Sequence, residues 1–455
     1  MNVTLDNVNI DTSETWKAAV SVTGKGDTNI ELNGNNTLTS GDGYAGLEHN
    51  KKTDSEGKET SGTLTITDDK GDAGKLTATG GNQSAGIGGG SGNDGQAAIT
   101  GGEIIAKGGN YGAGIGGGDV GNGTVTITGG SITATGGRLA AGIGGGAGKY
   151  QAVGGNGDVK ISGGTIIATG GYEGAGIGGG NEKDGQVTIT GGEIIANGGD
   201  GSAGIGGGYS GNGTVTISGG TVTEASGGGE GAGIGGGDSG NGTVNISGGT
   251  ITKASGGYYG AGIGGGSSGL GNVSIEGNVT IKNAQGGVGA AGIGGGARGT
   301  SDAAGNGNKI SIKSTAAGSP NITAKGGKAS DDGLSGGAAI GSGSVVAGAT
   351  EVKSDITIEG KVTIDATGGG NVAIGDNIDG EKVFNGLAGG TNIKRTDSNG
   401  KDVTQDGDVV AEPEPEPKPE PEEPEKPAQP TVTPTEAAEA PSTGSVEVEH
   451  PVTVE

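Results

Sequence analysis

The chain contains no cysteine, one phenylalanine, one tryptophan, one methionine and two histidines in 455 residues. The missing cysteine excludes disulfides, thiolate metal sites and a cysteine nucleophile. His49 and His450 lie at opposite ends of the sequence, so no Ser-His-Asp arrangement or histidine metal cluster can be assembled. Seven tyrosines beside the single Phe and Trp cannot fill several ordinary globular cores. Any core must be narrow and built from small side chains. No window approaches the unbroken apolar run of a membrane helix. The opening MNVTLDNVNI alternates like a strand, where an export signal would be basic and then apolar. Basic residues are few: 27 Lys and Arg face 52 Asp and Glu, a net charge of -25. Nucleic acid is therefore not an expected partner, because its phosphates need cationic clusters.

What the chain has in excess is glycine, 117 residues of it, and the glycine is ordered. AGIG begins at Ala85, Ala113, Ala141, Ala175, Ala203, Ala232, Ala261 and Ala291, in steps of 28, 28, 34, 28, 29, 29 and 30 residues. That is a structural repeat. Degenerate copies extend it at Lys17 (KAAVSV), Tyr44 (YAGLE), Gly337 (GAAIGSG) and Asn371 (NVAIGDN), giving about 12 units.

Inside a unit the period is two. In GTVTITGGSITATGG, residues 123–137, Val125 and Ile127 alternate with threonines, and then Ile132 and Ala134 do the same. Each unit offers two short strands joined by Gly-Gly, and AGIG adds a third extended piece. Glycine at this density opposes helices. Such short strands become stable when those of successive units stack into parallel sheets, so the expected fold is all-β, a parallel β-helix of about 12 coils. At about 4.8 Å per coil the stack extends for roughly 58 Å.

The last part of the chain differs. Eleven of the 12 prolines lie from Pro413 onward, and residues 412–455 hold 12 Glu against Lys418 and Lys426. Pro and charge leave nothing to bury there. The expected organisation is a β-helix over 1–380, an irregular cap over 381–410 and a disordered, acidic Pro/Glu-rich stalk over 411–455.

The repeats AGIGGG, GNGTVTITGG and SITATGG, with NIELNGNNTLTSGDGYAGLE before them, resemble the glycine-rich right-handed β-helix proteins of bacterial surfaces. They resemble in particular the carbohydrate-binding-domain family, whose fold is similar to that of polysaccharide lyases. The resemblance implies right-handed coiling and an extracellular, cell-surface or secreted protein that holds polysaccharide, sometimes with calcium, without cleaving it. The tail is similar to the wall-spanning stalks of Gram-positive surface proteins. No export signal and no LPxTG-type anchor is read in these residues, so a piece of a longer surface protein is expected, acting as a monomer.

Several residues are candidates for function. A single phosphate-cradling glycine loop needs a following helix, and AGIGGG recurs without one, so a nucleotide site is rejected. Tyr111 and Tyr259 stand two residues before the Ala of AGIG, and Tyr172 and Tyr258 three before it. In a coil all four share one edge, with steps of about 10 Å from Tyr111 to Tyr172 and about 14 Å from Tyr172 to Tyr258. Exposed aromatic faces beside Asn and Asp are suited to stacking on sugar rings, so these four are the expected carbohydrate-binding residues. Asn122, Asn212, Asn241 and Asn272 recur in one corner and are expected to form an amide ladder. Asp94, Asp119, Asp184 and Asp238, placed in the same corner, make calcium the alternative there.

A second column, Ile105, Thr133, Ile167, Ile195, Thr223 and Thr252, lies on the outer face of the second strand. It offers an apolar patch to a protein partner, which makes an adhesin or structural stalk the alternative function. A polysaccharide lyase is a third reading, for which Lys160 and Arg138 are the only suggestive bases. No catalytic residue and no cofactor is expected otherwise.

Overall fold

The computed structural model describes residues 1–71, 74–148, 154–298, 307–331, 333–345, 352–376 and 378–412. The expected stalk therefore lies outside the described residues, apart from Ala411 and Glu412. No helix occurs among those described, and the strands form three long sheets of 12, 14 and 13 strands. Successive coils stack their strands into these sheets, and the pairing is parallel throughout except for the last pair of the third sheet, Ile374–Asp376 with Gly380–Glu381, which is antiparallel.

The alternation seen in the sequence is what builds the core. In Gly123–Ile127 the residues Gly123, Val125 and Ile127 are buried while Thr124 and Thr126 face outward. In Ser131–Thr135 it is Ile132 and Ala134 that turn inward. The register then places like on like: Val125 pairs with Val159, Ile127 with Ile161, Ile132 with Ile166 and Ala134 with Ala168. A single column of buried Val, Leu, Ile and Ala runs through the stack. Each Val, Leu or Ile of the column contributes about 1.5–3 kcal/mol by leaving water, which offsets the scarcity of aromatic residues.

The third sheet explains the glycines of AGIGGG. Ile115–Gly116 pairs with Ile143–Gly144, and all four residues are buried. Gly116 has φ +136°, and a Cβ added there would meet the carbonyl oxygen of Gly144 at 2.0 Å. Only glycine satisfies both the backbone conformation and the approach of the next coil.

The loops that enter and leave AGIGGG close over this sheet. The residue after each AGIGGG donates its backbone N–H to the carbonyl two residues before the Ala of the preceding AGIG: Ala147 to Tyr111, Tyr209 to Glu173 and Ala297 to Tyr259. A seam of backbone hydrogen bonds thus runs along one edge.

Where the loops leaving AGIGGG enter the first sheet, a ladder of Asx side chains stands. Asp94 Oδ1 accepts from the backbone N–H of Asn122 at 2.7 Å, and Asn122 Oδ1 accepts from Asn156 at 2.9 Å. Asn156, Asp184, Asn212 and Asn241 continue the pattern to Leu270. Asn272, expected in this ladder, lies instead within the strand Gly271–Glu276, where it pairs with Thr243. Leu270 takes the ladder position because that coil has Leu before the strand's first Gly where the others have Asn or Asp.

The outer column of the second sheet is shorter than its spacing suggests. Ile105, Thr133, Ile167 and Ile195 are in register, but a bulge then sets Glu224 opposite Ile195 in place of Thr223. Thr252 falls between the strands Gly249–Ile251 and Ala254–Ser255. One extra residue per strand shifts the outward series, so two β-branched residues leave the column.

Beyond residue 380 the strand Asn392–Thr396 joins the second sheet against Thr363–Thr367. Its Arg395 pairs with Ala366, so a guanidinium replaces the alanine of the core column. It is fully buried, donating to Asp408 at 2.7 Å and to Glu381 at 2.8 Å. A paired charge in a core position ends the apolar column, as a cap on a solenoid must.

Candidate functional site

The loop edge beside the third sheet gathers the aromatic residues. Trp16, Tyr44, Tyr111, Tyr172, Tyr209, Tyr258 and Tyr259 all lie in loops flanking the third-sheet strands. Each loop is positioned by the backbone seam, so residues at equal distance from AGIG stack coil upon coil.

Tyr172 and Tyr258, both three residues before an AGIG, are 57% and 56% exposed. Between them, at the same position of the two intervening coils, stand Asp200 and Gly229. Asp200, Gly201, Tyr209, Gly229, Glu230 and Tyr258 line an open groove of about 340 Å³. The two glycines make room for the side chains that line it. A Cβ on Gly229 would meet Asp200 Oδ1 at 1.9 Å, and one on Gly201, where φ is +68°, would meet the Tyr209 ring at 2.5 Å.

The groove is acidic and hydrogen-bonded. Asp200 accepts from the Tyr172 hydroxyl, and that hydrogen bond, with the negative charge behind it, holds the phenol above its ordinary value. Burial raises the Glu230 carboxyl, and the charge of Asp238, to which it is hydrogen-bonded, raises it further. Burial likewise raises Glu173, which accepts a hydrogen bond from Asn181, while Arg138 opposes the shift. These groups can exchange hydrogen bonds with a ligand's hydroxyls while the tyrosine rings cover its apolar faces.

The other two expected tyrosines behave differently. Tyr111 is half-buried in the left-handed conformation, φ +72°. Tyr259 is 8% exposed and packs with Ala290, Ala297 and Leu334. Its ring carries the Arg298 guanidinium at 4.0 Å and the edge of Tyr258 at 4.5 Å between centroids, so it presents no free face. Tyr209, Asp200 and Glu230 were not singled out by sequence. The signal for Tyr209 was present: counting forward from AGIGGG, as well as back from AGIG, reaches the other side of the same seam.

Asp94 and Asp184 stand in the Asx ladder, whereas Asp119 and Asp238 follow AGIGGG directly and lie at the seam. All four lie in the loops that lead from the third sheet to the first, Asp94 and Asp184 at the end of their loops and Asp119 and Asp238 at the start. Among the described residues no group of three or more His, Asp or Glu is placed to hold a metal. Lys160 lies on the outer face of the first sheet and Arg138 on the loop edge, so the two do not share a site.

Seven segments, residues 72–91, 98–119, 125–147, 159–181, 187–209, 215–238 and 244–267, match the family model described as Beta helix repeat. The chain is a parallel β-helix protein. The matched segments follow the coils that carry the AGIGGG repeats and end just beyond Tyr258 and Tyr259 of the β-helix. No curated protein and no solved structure matches it. No helix among the described residues is long and apolar enough to cross a membrane.

Proposed function

We propose that this β-helix is a non-catalytic carbohydrate-binding protein, exported and displayed at a bacterial surface, and that the groove between Tyr172 and Tyr258 is where sugar is held. The observation that carries this reading is an open groove lined by the exposed Tyr258, by Tyr209 and by the carboxylates Asp200 and Glu230, with the exposed Tyr172 at the same repeat position three coils away and hydrogen-bonded to Asp200. Aromatic faces with hydrogen-bonding groups between them suit a ligand that is apolar on its ring faces and polar around its rim.

The test is binding of residues 1–412 to a panel of plant, bacterial and host polysaccharides, with and without calcium, for the native chain and for Tyr172→Ala with Tyr258→Ala. Specific binding that disappears in the double variant supports the reading. Silence across the panel, or binding that survives both substitutions, removes it.

A second reading, a protein-binding adhesin, is favoured by one feature only: Ile167 is 40% exposed at the middle of the β-branched column. Ile167→Lys with Ile195→Lys would then abolish binding to the partner protein and leave sugar binding intact.

A further inference from the structure

We infer that the loop edge holds polysaccharide lengthwise, as an internal stretch of an extended, uncharged chain, and that Trp16 is a distal contact of that site. This rests on the carbohydrate-binding reading and specifies how the ligand lies.

Trp16 stands four residues before Val20, as Tyr111 stands four before Ile115, and Val20 begins the third sheet by pairing with Leu47. The one tryptophan of the chain therefore occupies the repeat position of the aromatic edge, and it is 77% exposed. Nothing in its packing requires a large indole there. From the coil of Trp16 to that of Tyr258 there are eight steps along the third sheet, about 38 Å at the usual strand spacing.

Rings recur along this span without long gaps. Counting the coil of Trp16 as zero, Tyr44 belongs to coil one, Tyr111 to three, Tyr172 to five, Tyr209 to six and Tyr258 to eight. No interval exceeds two coils, about 10 Å, which is the reach of two linked pyranose rings in an extended chain. Between the rings, Asp42, Asn82, Gln83, Asn110, Arg138 and Asp200 supply hydrogen-bonding groups in the two columns before AGIG. A site for a monosaccharide or for a chain terminus would need a closed end. Here the same backbone seam repeats coil after coil along the edge.

The charge selects among polymers. Asp42, Glu173, Asp200, Glu230 and Asp238 outnumber Arg138 and Arg298 on this edge, which opposes a polyuronate and leaves a neutral chain.

The experiment uses the full chain and size-fractionated oligosaccharides of two to ten rings from cellulose, chitin, mannan and xylan, with polygalacturonate fragments of equal size. Affinity is read by calorimetry, and the environment of Trp16 by its fluorescence, which no other residue confuses. The expected result is that a neutral series gains at least tenfold in affinity between four and eight rings. Trp16 emission should respond only to the longer members. Trp16→Ala should flatten the gain beyond four rings while leaving tetramer affinity and melting temperature unchanged. The inference is overturned if four rings already give full affinity, if the intact polymer leaves Trp16 emission unmoved, or if polygalacturonate binds as well as the neutral series. Absence of binding by every oligosaccharide and its parent polymer counts against the carbohydrate reading itself.

Discussion

The guanidinium of Arg298 lies 4.0 Å from the ring centre of Tyr259 and donates to its hydroxyl at 2.7 Å. The adjacent Tyr258, T-shaped against Tyr259, is left facing solvent. Neighbours in sequence thus have opposite roles. Tyr259→Ala removes a buried ring and a cation–π contact, and should cost about 3 kcal/mol or more in chemical denaturation. Tyr258→Ala should leave stability within about 0.5 kcal/mol and weaken sugar binding. Equal losses of stability in the two variants would contradict this division.

Glycines of the groove and of the third sheet should respond differently to a methyl group. At Gly229 the added Cβ meets Asp200 Oδ1 at 1.9 Å and the backbone nitrogen of Gly201 at 3.2 Å, so Gly229→Ala should displace the Asp200 side chain, melt close to the native chain and lose affinity. At Gly116 the Cβ meets a backbone oxygen of the next coil at 2.0 Å with φ +136°, and Gly116→Ala should cost at least about 2 kcal/mol. Thermal melts of the two proteins side by side decide the matter.

Glu48 occupies the third-sheet position that Gly88 holds in the next coil, and burial raises its carboxyl above the ordinary value. The folded state therefore holds this proton more tightly than the unfolded chain. The contribution to stability is fully present below the ordinary Glu range and is lost as pH rises through the raised folded value. Melting temperature should fall over that interval. Glu48→Gln should reduce the fall, because a neutral amide keeps a polar partner for Ser21 and Asn50 without the charge. An unchanged pH profile in the variant would assign the effect to other groups.

The Asx corner is expected to be held by its own hydrogen bonds. Asn156→Ala breaks one step of the ladder at an exposed corner, where water replaces the lost acceptor, and should cost less than about 1 kcal/mol. Asp184→Asn preserves the Oδ1 acceptor and should be silent in the same melts. A chelator should not change the melting temperature. A drop on adding it would place calcium at some carboxylate and revise the picture of this corner.

Much of this architecture could be read from spacing. The AGIG interval gave the coil, and the alternation of Val125, Ile127, Ile132 and Ala134 gave the inward face, because a strand's period of two is local and every coil repeats it. The edge carrying Tyr111, Tyr172 and Tyr258 followed from the same counting. Departures arose where a single residue is added or exchanged: the bulge that brings Glu224 into the place of Thr223, and Leu270 in the ladder where Asn272 was expected.

What the sequence by itself determined, then, is the repeat: which residues turn inward, which corner bears Asn, and which loops carry rings. These depend on interactions within one coil and between identical positions of adjacent coils. The tertiary structure decided how residues on different loops meet. It brought Tyr209 across the seam to face Asp200 and Glu230, buried Tyr259 under Arg298, and left Trp16 and Tyr258 exposed on a common edge. No spacing within a unit encodes those contacts, because they are made between two loops on opposite sides of AGIGGG, brought together only when one coil closes over the next.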